Sequence, residues 1–324
     1  MLEQLDYILP KDRIAQKPVF PRDHCNLLVL KGNEIEHRKF YQIVEYFDAG
    51  DVLVLNNSKV MKVRLEGRKP TGGKLDILVI GKKDGNYECL IKGKYRDGTE
   101  FFIYGHKCKV IKKMEGRCLV SIPLTMNEIE KIGKMPTPPY IKEEVKDDEW
   151  YQTIYAKEKG SIAAPTAGLH FTDELFKKLR HKGVEIVFIT LHVGLATFLP
   201  PERMRGEREY YSISREAAEK INGAEGKVVA VGTTTVKALE SASRNGKVFA
   251  TSGWSNLFIS PGYQFQSPIK GMITNFHMPK SSPLMLTAAF AGVDEIMRAY
   301  QEALKRDYRF LSFGDAMLIL KCLR

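Results

Sequence analysis

A long central segment, residues 61–123, shows no helical period, and this most constrains the fold. Its apolar residues fall in short strand-like runs, and Asp84-Gly85-Asn86 and Glu115-Gly116 are typical of hairpin turns. The segment therefore predicts a small all-β module, either a barrel or a curled sheet. A short helix broken by Gly133 and a Pro-rich turn follow it.

The rest of the chain alternates strands with helices. Thr172 and Ser214 stand where helix caps are expected, and the runs EIVFITLHVG and VVAVG are typical of strands buried on both faces. The alternation predicts a mainly parallel sheet or barrel to which the N-terminal strands also belong. We therefore expect the α/β class, with a barrel-like α/β main domain (1–60 and 151–324) and an inserted all-β, β-barrel domain (61–150).

The charge balance points to a polyanionic partner. Lys and Arg exceed Asp and Glu by 50 to 39, a net charge of +11, and residues 59–118 hold 16 basic and 7 acidic residues. One interpretation is a surface for phosphates. The alternative is a solvated face on which lysines protect exposed strand edges.

Several classes of protein are excluded by what the sequence lacks. It contains no apolar run long enough for a membrane span, no secretory signal and no glycine-rich phosphate loop. The five cysteines are scattered, without metal-ligand spacing, which disfavours both a disulfide framework and a zinc site. We expect a cytoplasmic chain that binds no membrane.

Ligands of α/β folds bind at the carboxyl ends of strands, and four such junctions carry polar residues. His170 lies in SIAAPTAGLHFT, just before a helix, and His192 ends the apolar run ITLHV, followed by Gly194. A buried histidine is costly unless it is paired or used. Each is thus either a hydrogen-bonded core residue or a functional group.

Two further junctions are polar. VAVGTTTVKALES places Thr233, Thr234 and Thr235 at a helix N-terminus, which favours a carboxylate or phosphate, and Glu240 in the same helix. ITNFHMPKSSPLML places His277 after a strand. Lys280 and Ser281 follow it, and Asp315 in LSFGDAMLI has a similar setting near the C-terminus. The three histidines have no metal-ligand spacing, so we expect no metal.

These segments together resemble the S-adenosylmethionine:tRNA ribosyltransferase-isomerase family of queuosine biosynthesis. The resemblance covers essentially the whole chain, with APTAGLHF and TNFH-P-S as its most specific motifs. It also includes GDVLVLNNSKV, YQTIYAKEKG, LHVGLATF, VGTTTVKALES, FISPGYQF and YRFLSFGDAMLI. Two departures stand out. Ser282-Pro283 replaces the family's usual Thr-Leu, and Arg205-Gly206-Glu207-Arg208 stands where a Met-His pair is usual.

The resemblance implies a β-barrel inserted near residue 60 of an α/β barrel-like domain. It implies S-adenosylmethionine and tRNA carrying 7-aminomethyl-7-deazaguanine at the wobble position as substrates. The products would be epoxyqueuosine in tRNA, adenine and methionine. S-adenosylmethionine would be consumed as ribosyl donor, without a cofactor. We expect a monomer.

The chemistry of a sulfonium substrate suggests candidate roles for these residues. The general base would be His170, His192 or His277, with Asp315 or Glu240 orienting a histidine or binding the methionine ammonium group. The remaining candidates for substrate binding are Thr166, Ala167, Gly168, Phe171, Gly194, Thr233, Thr234, Thr235, Tyr263, Phe276, Lys280 and Ser281. Lys59, Lys62 and Arg64 are the candidates for tRNA binding. A non-catalytic RNA-binding module and a metal-dependent hydrolase are the alternative functions.

Overall fold

A computed structural model describes residues 3–143, 145, 147–194 and 208–321. The chain forms two compact units, one of Met1–Lys59 with Pro138–Arg324 and one of Val60–Thr137. The smaller unit is thus inserted at residue 60. Its end at Thr137 precedes the boundary at residue 150 that we expected, because the Pro-rich turn and the charged segment after it belong to the larger unit.

The described residues form nineteen strands and six α-helices. The strands are β1 (Asn26–Lys31), β2 (Glu34–Lys39), β3 (Val52–Asn56), β4 (Ser58–Val60), β5 (Arg64–Arg68), β6 (Lys74–Lys83), β7 (Asn86–Lys92), β8 (Glu100–Ile103), β9 (His106–Met114), β10 (Arg117–Ser121), β11 (Glu158–Ser161), β12 (Glu185–Leu191), β13 (Glu209–Ile213), β14 (Val228–Val231), β15 (Ser243–Arg244), β16 (Lys247–Val248), β17 (Thr251–Ser255), β18 (Ile269–Asn275) and β19 (Ala316–Leu320). The helices are α1 (Met126–Ile132), α2 (Asp173–His181), α3 (Arg215–Asn222), α4 (Thr233–Ser241), α5 (Ser282–Ala291) and α6 (Val293–Lys305).

The larger unit is built on a nine-stranded sheet with the order β17-β13-β12-β3-β14-β18-β19-β1-β2. Its centre, β12-β3-β14-β18, is parallel, so the carboxyl ends of these four strands share one edge. The expectation of a mainly parallel sheet holds for this centre and for the neighbouring pair β19-β1. The sheet is mixed because β13, β17 and β2 add as antiparallel neighbours and β19 runs antiparallel to β18.

Alternate residues of the central strands enter two hydrophobic cores. Val52 and Val54 of β3 belong to one core, and Leu53 and Leu55 belong to the other. A strand buried on both faces must be apolar at every position, which explains the continuous apolar runs of the sequence. The N-terminal strands β1 to β3 belong to this sheet, as we expected.

The smaller unit contains a closed antiparallel barrel, with the order β10-β7-β6-β5-β8-β9. Its strands alternate between inward and outward residues: in β9, Cys108 and Val110 are buried while Lys107 and Lys109 are exposed. The hairpin turns fall at Asp84-Gly85 and Glu115-Gly116, where we predicted them. The α/β class with an inserted β-barrel is therefore confirmed.

Local signals placed most helix starts correctly. The hydroxyl oxygens of Thr172, Ser214 and Ser281 accept hydrogen bonds from the first turns of α2, α3 and α5. The run TTTVKALESASRNG predicts a helix that ends at Gly246. Helix α4 instead ends at Ser241, and Gly246 lies in the turn between β15 and β16. Among the described residues, no helix combines the length and apolar character that crossing a bilayer requires.

Candidate active site

A cavity of about 220 Å³ lies in the larger unit, where the central parallel strands end. It is bordered by Val193 after β12, by Thr233 after β14, and by Phe276 and His277 after β18. This position is expected, because loops at the carboxyl edge of a parallel sheet leave a crevice for ligands. Of the predicted residues, Thr166, Ala167, Thr233, Thr234, Phe276, His277 and Ser281 line the cavity.

The N-terminus of α4 forms one wall. Gly232, which precedes the helix, brings no capping side chain, so backbone N–H groups of the first turn remain available to an anion. Thr233 and Thr234 are half-buried at the cavity. Thr235 differs: it is buried, and its hydroxyl donates to the Val231 carbonyl at 2.5 Å. Of the three threonines, only Thr233 and Thr234 therefore line the cavity where we predicted an anion site.

An ion pair that we did not predict borders the same cavity. The Nζ atom of Lys237 lies 2.8 Å from Oε2 of the buried Glu209, and both residues line the cavity. Oε1 of Glu209 accepts the N–H of Gly194 at 3.0 Å, which explains why Gly194 lies nearby. Lys237 lies one turn beyond Thr233 on α4, a spacing that places both side chains on one helix face. The spacing of Lys237 from Thr233 was the sequence signal that could have identified this lysine. No sequence pattern pointed to Glu209.

His277 is the predicted histidine that lines the cavity. It is half-buried, its Nε2 lies 2.7 Å from the hydroxyl oxygen of Thr274, and its backbone N–H donates to the Tyr300 hydroxyl at 2.9 Å. Burial lowers the pKa of His277 to about 3, so the imidazole is neutral at physiological pH. A neutral imidazole is the form that accepts a proton, and its lowered pKa makes it a weaker base than an ordinary histidine.

Hydroxyl groups and an amide complete the polar wall. The hydroxyls of Tyr140 and Ser312 are hydrogen-bonded at 2.8 Å, and both residues border the cavity together with Tyr151 and Asn275. The Asn275 amide donates to the Leu311 carbonyl at 2.9 Å. The cavity thus combines a helix N-terminus, an ion pair, a neutral histidine and several hydroxyls. This set suits a ligand that is partly zwitterionic and partly apolar.

Comparison with known proteins agrees with this architecture. A family model described as a queuosine biosynthesis protein matches residues 2–319. The chain belongs to this family. An S-adenosylmethionine:tRNA ribosyltransferase-isomerase of Desulfitobacterium hafniense is 46% identical, over 98% of this chain and 99% of the relative. The crystal structure of an S-adenosylmethionine tRNA ribosyltransferase from Thermotoga maritima matches with a TM-score of 0.59 and 38% identity, covering 98% of this chain and 100% of that one.

The family motif APTAGLHF supplies a second histidine, which lies behind the cavity wall. His170 is 4% exposed and is not among the residues that line the cavity. Its Nδ1 lies 3.2 Å from the thiol of Cys25, and its Nε2 lies 3.4 Å from Oδ1 of Asn275. Burial, only partly opposed by the bond to Asn275, lowers the pKa of His170 to about 4. Its contacts are those of a hydrogen-bonded core histidine.

His192 belongs to a different face of the sheet. Its Nδ1 lies 2.7 Å from the Ser58 hydroxyl, and its ring stacks on that of Tyr210. Burial lowers its pKa, and Glu158 partly opposes that effect. The three predicted histidines therefore have separate partners. Nowhere in the described ranges do three or more His, Cys, Asp or Glu side chains cluster as a metal site requires.

The two predicted carboxylates hold loops of the larger unit. Asp315 is buried and accepts the backbone N–H groups of Asn26 and Arg309. Glu240 is buried and accepts the backbone N–H groups of Gln266 and Ser267 and the hydroxyl of Tyr263 at 3.1 Å. Neither residue lines the cavity. Their oxygens are occupied within the protein, so the geometry favours a structural role for both, and for Tyr263.

The remaining candidates divide between the core and the loop surface. Phe171 is fully buried and stacks on Phe176, and Phe276 packs on Tyr300 and Phe310 while it borders the cavity. A Cβ atom at Gly168 would lie 1.9 Å from the Tyr155 hydroxyl, so this glycine admits a tyrosine rather than a ligand.

The loop before α5 and the predicted RNA contacts are partly engaged in ion pairs. Lys280 pairs with Asp6 at 2.6 Å, whereas Ser281 caps α5 and borders the cavity. Arg64 donates twice to Asp76, at 2.9 and 2.7 Å. Lys59 and Lys62 are half-buried. The segment 205–207 and the end of LHVGLATF lie outside the described residues.

Proposed function

We propose that this chain transfers and isomerises the ribosyl group of S-adenosylmethionine onto the 7-aminomethyl group of 7-deazaguanine at the wobble position of tRNA. The products are epoxyqueuosine-tRNA, adenine and methionine. Membership of the queuosine biosynthesis family and the names of the relatives support the proposal. The observation that carries it is one cavity that joins a neutral histidine, a helix N-terminus and an ion pair.

The amino-acid end of S-adenosylmethionine is a zwitterion, and one wall of the cavity matches it. The first N–H groups of α4 and the ammonium group of Lys237 face a carboxylate, and the carboxylate of Glu209 faces an ammonium group. Glu209 thereby takes the role that we first gave to Asp315 or Glu240. The protein ion pair holds both charges in place before the ligand arrives.

His277 is the general base in this proposal. The positive sulfur of the ligand acidifies the protons on the ribose 5′ carbon, and a neutral imidazole accepts one of them. The Nε2 atom of His277 is hydrogen-bonded to Thr274, which orients the ring. His170 is not the base in this proposal, because it lies behind the cavity wall and its Nε2 atom faces Asn275.

The scheme balances without an added redox partner. The ylide formed at C5′ makes a C4′–C5′ double bond as the C4′–O4′ bond breaks, O4′ becomes an aldehyde oxygen on C1′, and adenine departs with a proton. The aminomethyl nitrogen then adds to C4′, and the regenerated ylide carbon attacks C1′. The resulting alkoxide displaces the sulfonium at C5′, which closes the epoxide and releases methionine. Since the sulfonium is the electron sink, no separate cofactor is required.

Adenine release tests this function directly. The purified chain is mixed with S-adenosylmethionine and tRNA that carries 7-aminomethyl-7-deazaguanine, and adenine and methionine are quantified. We expect equal amounts of both, with none from tRNA that carries guanine at the wobble position. Tight tRNA binding without adenine would support an RNA-binding module instead. Activity that a chelator abolishes would support a metal-dependent enzyme.

The basic barrel is proposed to bind the tRNA backbone, with Lys59 just before it in the chain and Lys62 and Arg64 at its start. Lys109 and Lys112 extend the exposed face of β9. The double variant Lys109→Glu/Lys112→Glu is expected to raise KM for tRNA and to reduce the salt-dependence slope of binding by about 1–2. The variant Lys177→Glu/Lys305→Glu makes the same charge change on the larger unit. An equal effect of both pairs would mean that only net charge matters.

A further inference from the structure

Three aromatic rings form a row across neighbouring strands of the larger unit. The aromatic row consists of His192, Tyr210 and Trp254, contributed by the end of β12, by β13 and by β17. The His192 and Tyr210 rings are 5.8 Å apart and nearly parallel, at 22°. The Tyr210 and Trp254 rings are 5.7 Å apart at 68°, and these two residues are directly paired in the ladder. Strand pairing therefore holds the row in place.

The row lies on the face of β13 opposite to the cavity. Side chains alternate along a strand, and Glu209, which borders the cavity, and the buried Tyr211 point the other way from Tyr210. None of the three rings is among the residues that line the cavity. The proposed chemistry consequently leaves this row without a function.

Trp254 is 67% exposed, and it lies on β17, the strand that ends the order of the described sheet. Its ring contact within the protein is the edge-on packing against Tyr210. The interior gains little from a tryptophan that is mostly in water, so packing does not explain it. An exposed aromatic surface of this kind suits a flat, unsaturated ligand.

Several basic residues are neighbours in the chain of residues that form or contact the row. Lys59 follows Ser58, whose hydroxyl contacts His192, and the exposed Arg208 precedes the strand of Tyr210. The exposed Lys159 precedes Gly160, where a Cβ atom would lie 2.6 Å from the His192 ring. Glu158 adds one acidic group. Cations around an aromatic surface match a nucleotide, whose base is flat and whose phosphate is anionic.

We propose that the aromatic row is a stacking platform for an unpaired nucleobase of the tRNA substrate. The proposal rests on the proposed function, because it assumes that the substrate modified at the cavity is tRNA. Unpaired bases of an RNA loop stack on aromatic side chains, with little dependence on base identity. An apolar protein segment is the competing occupant, and it would need apolar area at Trp254 rather than an aromatic face.

Intrinsic fluorescence tests the proposal. The chain has two tryptophans, Trp150 and Trp254, so the variant Trp150→Phe leaves Trp254 as the only one. Titration of this variant with an unmodified anticodon stem-loop RNA is expected to quench its emission saturably. A blunt-ended, fully paired RNA duplex of equal charge is expected to quench it much less. Equal quenching by both RNAs would overturn base stacking.

A substitution series at Trp254 gives the second readout. Trp254→Ala and Trp254→Leu are expected to raise KM for tRNA at least about fivefold with kcat little changed, whereas Trp254→Phe retains most of the binding. Phe249→Ala, which removes another exposed ring (53%), is the matched control and is expected to leave KM unchanged. If Trp254→Leu behaves like Trp254→Phe, the surface binds through apolar area, and the stacking proposal is wrong. Wild-type adenine release is measured alongside, so that failure of the proposed function is seen separately.

Discussion

Two histidines of the larger unit have similar sequence settings and different structural positions. His277 follows β18 and borders the cavity, where its ring is half-buried. His170 ends the short helix Thr166–His170 and lies in the layer behind the cavity wall, almost fully enclosed. Burial lowers the pKa of both, to about 3 and about 4, so both are neutral at physiological pH. Their pKa values therefore do not separate their roles.

The hydrogen bonds of His170 and His277 distinguish the roles of the two histidines. The Asn275 amide donates to Leu311, so its Oδ1 faces His170 and accepts the Nε2–H of that ring. Nδ1 of His170 then accepts the thiol proton of Cys25. Both ring nitrogens are thus occupied inside the protein, whereas His277 lies beside the space that a ligand would fill. The comparison teaches that access and free hydrogen-bonding capacity, more than a shifted pKa, distinguish a reacting histidine from a supporting one.

The largest expected effect is at the cavity wall. His277→Ala should lower the rate of adenine release by about 10²–10⁴-fold, because it removes the base from the proton transfer. S-adenosylmethionine binding, measured by calorimetry, should persist. His181→Ala removes an exposed histidine and serves as the control. Full activity of a folded His277→Ala variant would show that His277 is not the general base.

A smaller effect is expected for the ion pair on the opposite wall. Lys237→Met should raise KM for S-adenosylmethionine roughly thirtyfold with kcat less affected, because it removes the cation beside the substrate carboxylate and leaves Glu209 unpaired. Decarboxylated S-adenosylmethionine distinguishes the two causes. Wild type should bind it more weakly than the normal substrate, and Lys237→Met should no longer discriminate between the two. Lys220→Met, which breaks an exposed ion pair with Glu185 and Glu216, is the control.

Substitution of His170, which lies behind the cavity wall, is expected to change turnover least. Its main effect should be on the free energy of unfolding. The folded pKa of His170, about 4, lies below its ordinary 6.5, so the unfolded chain binds more protons between these values. The free energy of unfolding should fall by about 3 kcal/mol as pH drops from 6.5 to 4 through this group. His170→Gln should be less stable at pH 7 and show a shallower pH dependence in urea unfolding.

His181→Gln, which removes an exposed histidine, is the control for this measurement. If the slopes of wild type and His170→Gln coincide, His170 does not titrate between its folded and unfolded states as inferred. A large loss of kcat in a stable His170→Gln variant would place this residue in the chemistry and remove the distinction between the two layers.

Local sequence signals predicted the fold well where neighbouring residues decide the structure. The caps at Thr172 and Ser214, the turn at Asp84-Gly85 and the buried run of β14 all formed as expected. The direction of β19 and the end of α4 at Ser241 were not predictable in this way. Both depend on which strands pair, and strand pairing joins residues far apart in the chain.

The candidate site was predicted as a set of loops and only partly as a set of residues. The cavity lies at all four junctions that we singled out, next to Thr166, Val193, Thr233 and His277. Asp315 and Glu240 were chosen because a carboxylate near a strand end or within a helix suggests a ligand. Each instead accepts backbone N–H groups from loops distant in sequence, which no local pattern reveals.

The sequence by itself determined the class of fold, the insertion near residue 60, the helix caps and the family, because these depend on local periodicity, turn chemistry and motifs. Only the tertiary structure decided that His277 faces a cavity while His170 faces Cys25 and Asn275, and that Glu209 meets Lys237. The physical reason is that burial and hydrogen-bond partners are properties of packed neighbours. Those neighbours are brought together by the sheet, not by their order in the chain.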